Sequence, residues 1–277
     1  MPIPDVSSHS IAELVSLEGR AAVVTGAARG IGRAVAMRLA EAGAVVVVAD
    51  IDSDAAEVTA DEIGGSATAM HMDAASRESV DEVAARCVSE AGSLDIWVSN
   101  AGIYPRHPFL GLSAEDWDRV VRLNLYGTFF GAKAAARAMA NAGRGGVILN
   151  MVSTSAFRGG PPGLTHYASS KHGIVGLTKA LALELGPLGI RVLALAPTRI
   201  DTEGLAERVL VPGAEEEQEA FSAVGIGGHH EVGAASLPLG RVGVPDDVAR
   251  VALFCASDLS MFMTGATIPI DAGFLAV

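Results

Sequence analysis

From about residue 20 the chain repeats one rhythm: a short, densely apolar run, then a longer amphipathic stretch, then a glycine or polar turn. The apolar runs are Ala21–Thr25, Ala44–Ala49, Ala67–Met72, Leu94–Ser99, Gly146–Val152, Arg191–Ala196 and Thr267–Ile270. Several hold almost no polar position, as in Val45-Val46-Val47-Val48. A strand with one wet face alternates, whereas an unbroken β-branched run suits a strand buried on both faces of a parallel sheet. Helical patterns fill the gaps at Ile31–Ala42, Ser53–Ile63, Ser76–Ala91, Ala114–Ala142, Tyr167–Leu185 and Pro245–Ala256. This alternation predicts an α/β fold: a Rossmann-type, doubly wound parallel sheet of about seven strands with helices on both faces. No linker or short repeat divides it, so residues 19–277 read as one domain behind a loose lead-in at 1–18. Only 199–241 breaks the rhythm, with no convincing strand and many Gly and acidic residues. A loop of that length after a strand end reads as a substrate lid in preference to a plain surface insertion.

Composition narrows the class. Half of the residues are hydrophobic and 19% are charged, enough apolar material for a sizeable core. The net charge of −12 and the absence of a basic block argue against a nucleic-acid partner. Cys87 and Cys255 stand far apart, so neither a disulfide framework nor a cysteine zinc site is expected. No apolar run reaches the ~18 residues of a membrane span, and the start lacks a secretory pattern. A cytoplasmic protein without a membrane partner is expected. His229-His230 beside Glu231 read as solvated loop residues and Glu215–Glu219 as a solvated helix face, so no metal site is expected.

The first strand runs into Thr25-Gly26-Ala27-Ala28-Arg29-Gly30-Ile31-Gly32, and a helix pattern follows at once. Glycines let a backbone approach a pyrophosphate closely, and the helix start offers free N–H groups to it. The second strand ends at Asp50, whose carboxylate can take hydrogen bonds from the adenosine ribose and repels the additional phosphate of NADP. Read alone, Asp50 is also an ordinary turn residue or helix cap. Arg29 pulls the other way, since a guanidinium could pair with that phosphate, while Ile51 adds no second positive charge. The expected cofactor is NAD.

Tyr167-Ala168-Ser169-Ser170-Lys171 places a phenol and an ammonium one helical turn apart on a shared face. A nearby ammonium would lower the phenol pKa from its usual value of about 10. Oxidising an alcohol by removing a hydride also requires the hydroxyl proton to leave, and a tuned phenol can accept it or return it.

In this order, the Gly-x-x-x-Gly-x-Gly turn, Asp50 and Tyr-x-x-x-Lys resemble the short-chain dehydrogenase/reductase family, from about Leu17 to Gly273. The resemblance implies further roles. Asp73 and Ala74 match the family's adenine contact after the third strand. Ser99-Asn100-Ala101-Gly102 matches the segment that supports the central strand beneath the cofactor. Asn124 matches the asparagine that holds a water linking the lysine to solvent, and Lys171 additionally holds the ribose. Ser153 matches the serine that orients the substrate oxygen, although counting back from Tyr167 selects Thr154; an added residue in the 159–163 turn reconciles the two. Pro197, Thr198, Ile200 and Thr202 match the segment that grips the nicotinamide carboxamide, with Thr198 where the family has Gly. A β-branched residue there would be strained if that position needs positive φ. The same resemblance suggests a homotetramer or dimer.

Candidate substrate neighbours are Ile103, Tyr104, Ser155, Phe157, Leu164, Leu205, Val209, Leu210 and Phe221, mostly apolar. They point to a neutral, fairly hydrophobic or cyclic secondary alcohol or ketone. Two alternatives compete: an NADPH-dependent 3-oxoacyl thioester reductase, which Asp50 argues against, and a dinucleotide-binding scaffold without catalysis.

Overall fold

The computed structural model of the chain describes residues 3–202 and 233–276. Seven strands, β1 (Ala21–Thr25), β2 (Val45–Asp50), β3 (Ala67–His71), β4 (Ile96–Ser99), β5 (Gly146–Met151), β6 (Ile190–Pro197) and β7 (Thr267–Ile270), form one sheet. All neighbours are parallel, in the order β3-β2-β1-β4-β5-β6-β7. The chain therefore winds outward in both directions from β1 and β4. Ligands of open α/β sheets sit at the carboxyl ends of the strands where the winding reverses.

The apolar runs behave as their composition requires. β1 is buried throughout, and so is β6. Side chains of successive residues enter opposite layers. Val24, Val46, Val48 and Val98 pack under α2 (Gly30–Glu41), α3 (Ser53–Ile63) and α8 (Pro245–Ala256). Val23, Val47 and Trp97 pack under α4 (Arg77–Ala91), α6 (Gly127–Ala142) and α7 (Thr165–Leu185). Among the described residues no helix is long and apolar enough to cross a membrane.

Three local features differ from the sequence reading. The lead-in is not loose. Ser10 caps a short helix, α1 (Ile11–Val15): its side chain accepts from the N–H of Glu13, and its own N–H donates to the Glu13 carboxylate at 2.7 Å. Leu17 is then fully buried, with its N–H on the Ala42 carbonyl at 2.7 Å. Second, the single helix expected over Ala114–Ala142 is interrupted. α5 (Ala114–Val121) passes into a π-helical turn at Arg122–Tyr126 before α6 begins. Such turns carry one additional residue and concentrate at functional sites; this one holds Asn124. Third, Ala272 adopts a left-handed φ of 51°, a conformation that costs a non-glycine residue about 1–2 kcal/mol. The Asp271 carboxylate accepts from the N–H groups of Gly273 and Leu275 and fastens that turn.

Candidate active site

The glycine turn after β1 and the loop after β4 meet at the reversal of strand order. A Cβ on Gly26, which has φ +62°, would lie 2.8 Å from the Ala101 Cα. A Cβ on Gly32 would lie 2.1 Å from the Gly26 carbonyl oxygen. These glycines are required by backbone against backbone, not by flexibility. Asn100 ties the two loops together, donating from Nδ2 to the carbonyls of Thr25 and Gly26, both at 2.9 Å. The Thr25 hydroxyl accepts from the N–H groups of Asn100 and Ala101. Gly30 opens α2 with φ +58° and faces Thr202 across a gap that a Cβ would narrow to 3.5 Å. The first turn of α2 thus keeps its free N–H groups beside a glycine-lined crevice. Those free N–H groups, beside Gly30 and held by the packing of Gly26 and Gly32, fit a pyrophosphate.

Asp50 ends β2 at the rim of this crevice. Its Oδ2 accepts from the N–H of Ala28 at 2.9 Å, and its Oδ1 from the N–H of Asp52 at 3.1 Å. The carboxylate is fixed in place, so the turn role and the ribose role are compatible. Arg29 forms an ion pair with Asp52 at 2.5 Å. Ile51 is exposed. The Asp73 carboxylate fastens its own turn through the N–H of Ala75 at 2.8 Å, and Ala74 is buried with its carbonyl against Gly127. Pro197 closes β6 against Ile270. Ile200 then pairs with Gly243, whose missing side chain leaves room for the Ile200 Cδ1. Thr198 is not among the residues with positive φ, so it carries none of the strain that replacing a glycine suggested. Of the expected lid, residues 203–232 lie outside the described residues, and with them Leu205, Val209, Leu210, Phe221, Glu215–Glu219, His229, His230 and Glu231.

α7 carries Tyr167 and Lys171 to the same crevice. The Lys171 ammonium lies 5.5 Å from the centre of the Tyr167 ring and donates to the Met151 carbonyl at 2.8 Å. A Cβ on Gly102 would sit 3.8 Å from the Lys171 Nζ, which joins this pair to the loop after β4. Ser153 is extended at the end of β5 and caps the 3-10 turn Thr154–Ala156 through the N–H of Ser155; its hydroxyl also lies near enough to Tyr167 to favour the ionised phenol. Of Ser153 and Thr154, the two residues left open by counting, it is Ser153 whose hydroxyl influences the Tyr167 phenol.

The electrostatics differ from the simple expectation. Burial, partly offset by the Ser153 hydrogen bond and reinforced by Tyr104, pushes Tyr167 up to about 12 rather than down. Burial pushes Lys171 down to about 8. The spacing argument failed because the ammonium is itself desolvated and is bonded to a carbonyl, over the ring face rather than at the phenol oxygen. At neutral pH the Tyr167 phenol therefore keeps its proton.

Lys171 makes a testable contribution to stability. Its folded pKa of about 8 lies below the ordinary 10.5. Below pH 8 both states hold the proton and the native state bears the whole penalty of a buried charge. Between about pH 8 and 10.5 only the unfolded state holds it, so stability rises with pH. Relative to Lys171→Met, in which the Tyr167 titration is shared and cancels, wild type should gain about 3 kcal/mol across that window in denaturant titrations. A difference that stays flat would mean that the lysine titrates normally.

Asn124 is fully buried in the π-helical turn. Its Oδ1 accepts from the Ile103 N–H and its Nδ2 donates to the Ile103 carbonyl, both at 2.9 Å. The second amide hydrogen reaches Ser170 Oγ at 3.3 Å, and Ser170 in turn donates to the Tyr167 carbonyl. The side chain thus clamps the loop after β4 to α7. Tyr104, on that loop, meets the Tyr167 ring edge-on at 5.9 Å. Ser155 and Leu164 are buried, and Phe157 is exposed. The contributions of Asp52, Ser170 and the Met151 carbonyl had no signal in the sequence, because each depends on contacts between elements.

The sequence of residues 26–275 matches the family described as enoyl-(acyl carrier protein) reductase. An L-rhamnose 1-dehydrogenase (NAD(P)(+)) of Azotobacter vinelandii is 40% identical over 258 residues, covering 91% of this chain and 94% of that protein. The chain is a short-chain dehydrogenase/reductase. A 3-oxoacyl-[acyl-carrier-protein] reductase of Aquifex aeolicus is 36% identical, covering 94% of this chain and 98% of that one. The crystal structure of a short-chain type dehydrogenase/reductase from Mycobacterium marinum superposes with a TM-score of 0.84 at 37% identity, over 97% of this chain and all of that one. This short-chain dehydrogenase/reductase is thus an oxidoreductase with the dinucleotide-binding fold of NAD(P)-using enzymes, and its relatives act on chemically different substrates.

Proposed function

We propose that the chain is an NAD(H)-dependent oxidoreductase that interconverts a secondary alcohol and a ketone, on a neutral substrate that is hydrophobic or cyclic. The observation that carries this reading is the grouping of the Ser153 hydroxyl with the Tyr167 phenol and of Lys171 with the Tyr167 ring, next to a glycine-lined crevice rimmed by a fixed carboxylate. Ser153 and Tyr167 both present hydroxyls to one small region, where a substrate oxygen can bond to each. In the reducing direction the Tyr167 phenol delivers its proton to that oxygen, and in the oxidising direction it takes the proton back. A bound nicotinamide supplies the hydride exchange and, when oxidised, a positive charge that favours tyrosinate. Lys171 binds the ribose hydroxyls, and Asn124 positions the loop that carries Tyr104. The crevice residues Gly26, Arg29, Gly30, Ile31, Gly32, Asp50, Ile51, Asp73, Ala74, Asn100, Ala101, Gly102, Pro197, Thr198, Ile200 and Thr202 line the path of the dinucleotide. Ser155, Phe157 and Tyr104 border the substrate.

Similarity to a 3-oxoacyl reductase supports a second reading, NADPH-dependent reduction of a 3-oxoacyl thioester. Initial rates separate the two. The proposal requires neutral secondary alcohols with NAD to outpace 3-oxoacyl thioesters with NADPH in kcat/KM; the reverse order would replace it with the second reading.

A further inference from the structure

We propose that Asp52 is a second determinant of cofactor choice, acting by holding Arg29 away from the position of an adenosine 2′-phosphate. The proposal rests on the NAD reading and explains how this chain reaches it. Arg29 stands in the glycine turn, where a guanidinium would welcome the phosphate of NADP. Its Nη2 is instead paired with Asp52 Oδ2 at 2.5 Å. Asp52 is held in turn by two further contacts. Its Oδ1 accepts from the Ala55 N–H at 3.2 Å and caps α3, and its own N–H donates to Asp50 Oδ1 at 3.1 Å. Asp50 completes the chain of contacts through the Ala28 N–H, adjacent to Arg29 itself. Ala28, Asp50, Asp52 and Arg29 therefore form one closed circuit at the carboxyl end of β2.

The circuit has a chemical consequence. Its three charged side chains sum to −1, and the one cation among the three is already engaged by Asp52. A dianionic 2′-phosphate meets repulsion from Asp50, and Arg29 can pair with it only by giving up Asp52. A ribose hydroxyl meets none of this, since a neutral donor needs only an acceptor. Asp50 accordingly discriminates directly and Asp52 discriminates through Arg29. Removing Asp50 alone leaves the guanidinium tethered, so the two carboxylates should act more than additively when removed together.

The test is the ratio of dissociation constants for NADPH and NADH, measured by fluorescence titration of the whole protein. Asp52→Asn is the informative variant because asparagine retains the helix cap while removing the charge. The ratio should shift toward NADPH by about fivefold in Asp52→Asn, the upper range for releasing an exposed ion pair. In Asp50→Ala/Asp52→Asn it should shift by more than the product of the two single effects. Adding Arg29→Ala to Asp52→Asn should abolish that gain, and adding it to the double variant should leave only the gain of Asp50→Ala, which a merely local change in the loop would not do. Competition by adenosine 2′-phosphate should follow the same order. An unchanged ratio in Asp52→Asn, or a gain in that variant that survives Arg29→Ala, would overturn the role of Asp52 and leave the NAD reading standing. Tighter NADPH than NADH binding by wild type would overturn both.

Discussion

Tyr167→Phe is expected to lose turnover by about 10²–10⁴-fold, the range for removing a positioned general acid–base group. Phenylalanine keeps the ring that Tyr104 meets edge-on and that Lys171 lies beside, so the crevice should retain its shape. What disappears is the hydroxyl near Ser153, and with it the group proposed to carry the proton. NADH binding, followed as cofactor fluorescence, should remain within a few-fold of wild type. The combination separates chemistry from binding. Turnover close to wild type in this variant would remove Tyr167 from the mechanism, and loss of NADH binding would assign it a structural role instead.

The second large effect is expected at Gly32. A methyl group there would meet the Gly26 carbonyl oxygen at 2.1 Å, the Asn100 Nδ2 at 2.6 Å and the Gly26 carbonyl carbon at 2.8 Å. Two of these atoms are backbone, and Asn100 is itself fixed by hydrogen bonds to Thr25 and Gly26. No flexible side chain can yield, so Gly32→Ala must move the start of α2 away from the turn after β1. The free N–H groups at that helix start would then lose their register with a pyrophosphate. Cofactor affinity should fall by at least ~100-fold, since a displacement near 1 Å costs about that much in a preorganised site. The strands and α7 are untouched, so circular dichroism should show a folded chain. Ordinary NADH affinity in a folded Gly32→Ala protein would mean that the crevice does not bind the dinucleotide through this turn.

Much of the architecture is legible in residue pattern because both faces of the sheet are buried. Val45-Val46-Val47-Val48 can only be a strand between two helical layers, and the glycine turn can only sit where backbones touch. The α3 and α8 limits follow from periodicity alone. The interruption at Arg122–Tyr126 does not, because one additional residue in a helical turn leaves apolar spacing almost unchanged; its cause is tertiary, the clamp from Asn124 to Ile103. The lead-in helix was hidden for a related reason: its Ser10 and Glu13 form a capping box, but only five helical residues follow.

The site divides similarly. Tyr167, Lys171 and Asp50 are recognisable as residue types at meaningful spacings, while the direction of their interactions is not. Helical spacing places the ammonium near the phenol, yet it cannot show that Lys171 bonds the Met151 carbonyl or that burial dominates both pKa values. Arg29 and Asp50 pull in opposite directions when read as letters. The partner that engages Arg29 is Asp52, whose position two residues beyond the strand has no recognisable pattern.

The central claim is that hydride leaves the substrate carbon for the cofactor while Tyr167 handles the oxygen-bound proton. It is tested most directly by incubating the protein with NAD and a neutral secondary alcohol deuterated at the carbinol carbon, and weighing the reduced cofactor by mass spectrometry. Wild type should transfer one deuterium to the nicotinamide at each turnover, and Tyr167→Phe should yield almost no labelled cofactor in the same time. Unlabelled NADH from wild type, or equal labelling by the two proteins, would contradict the account.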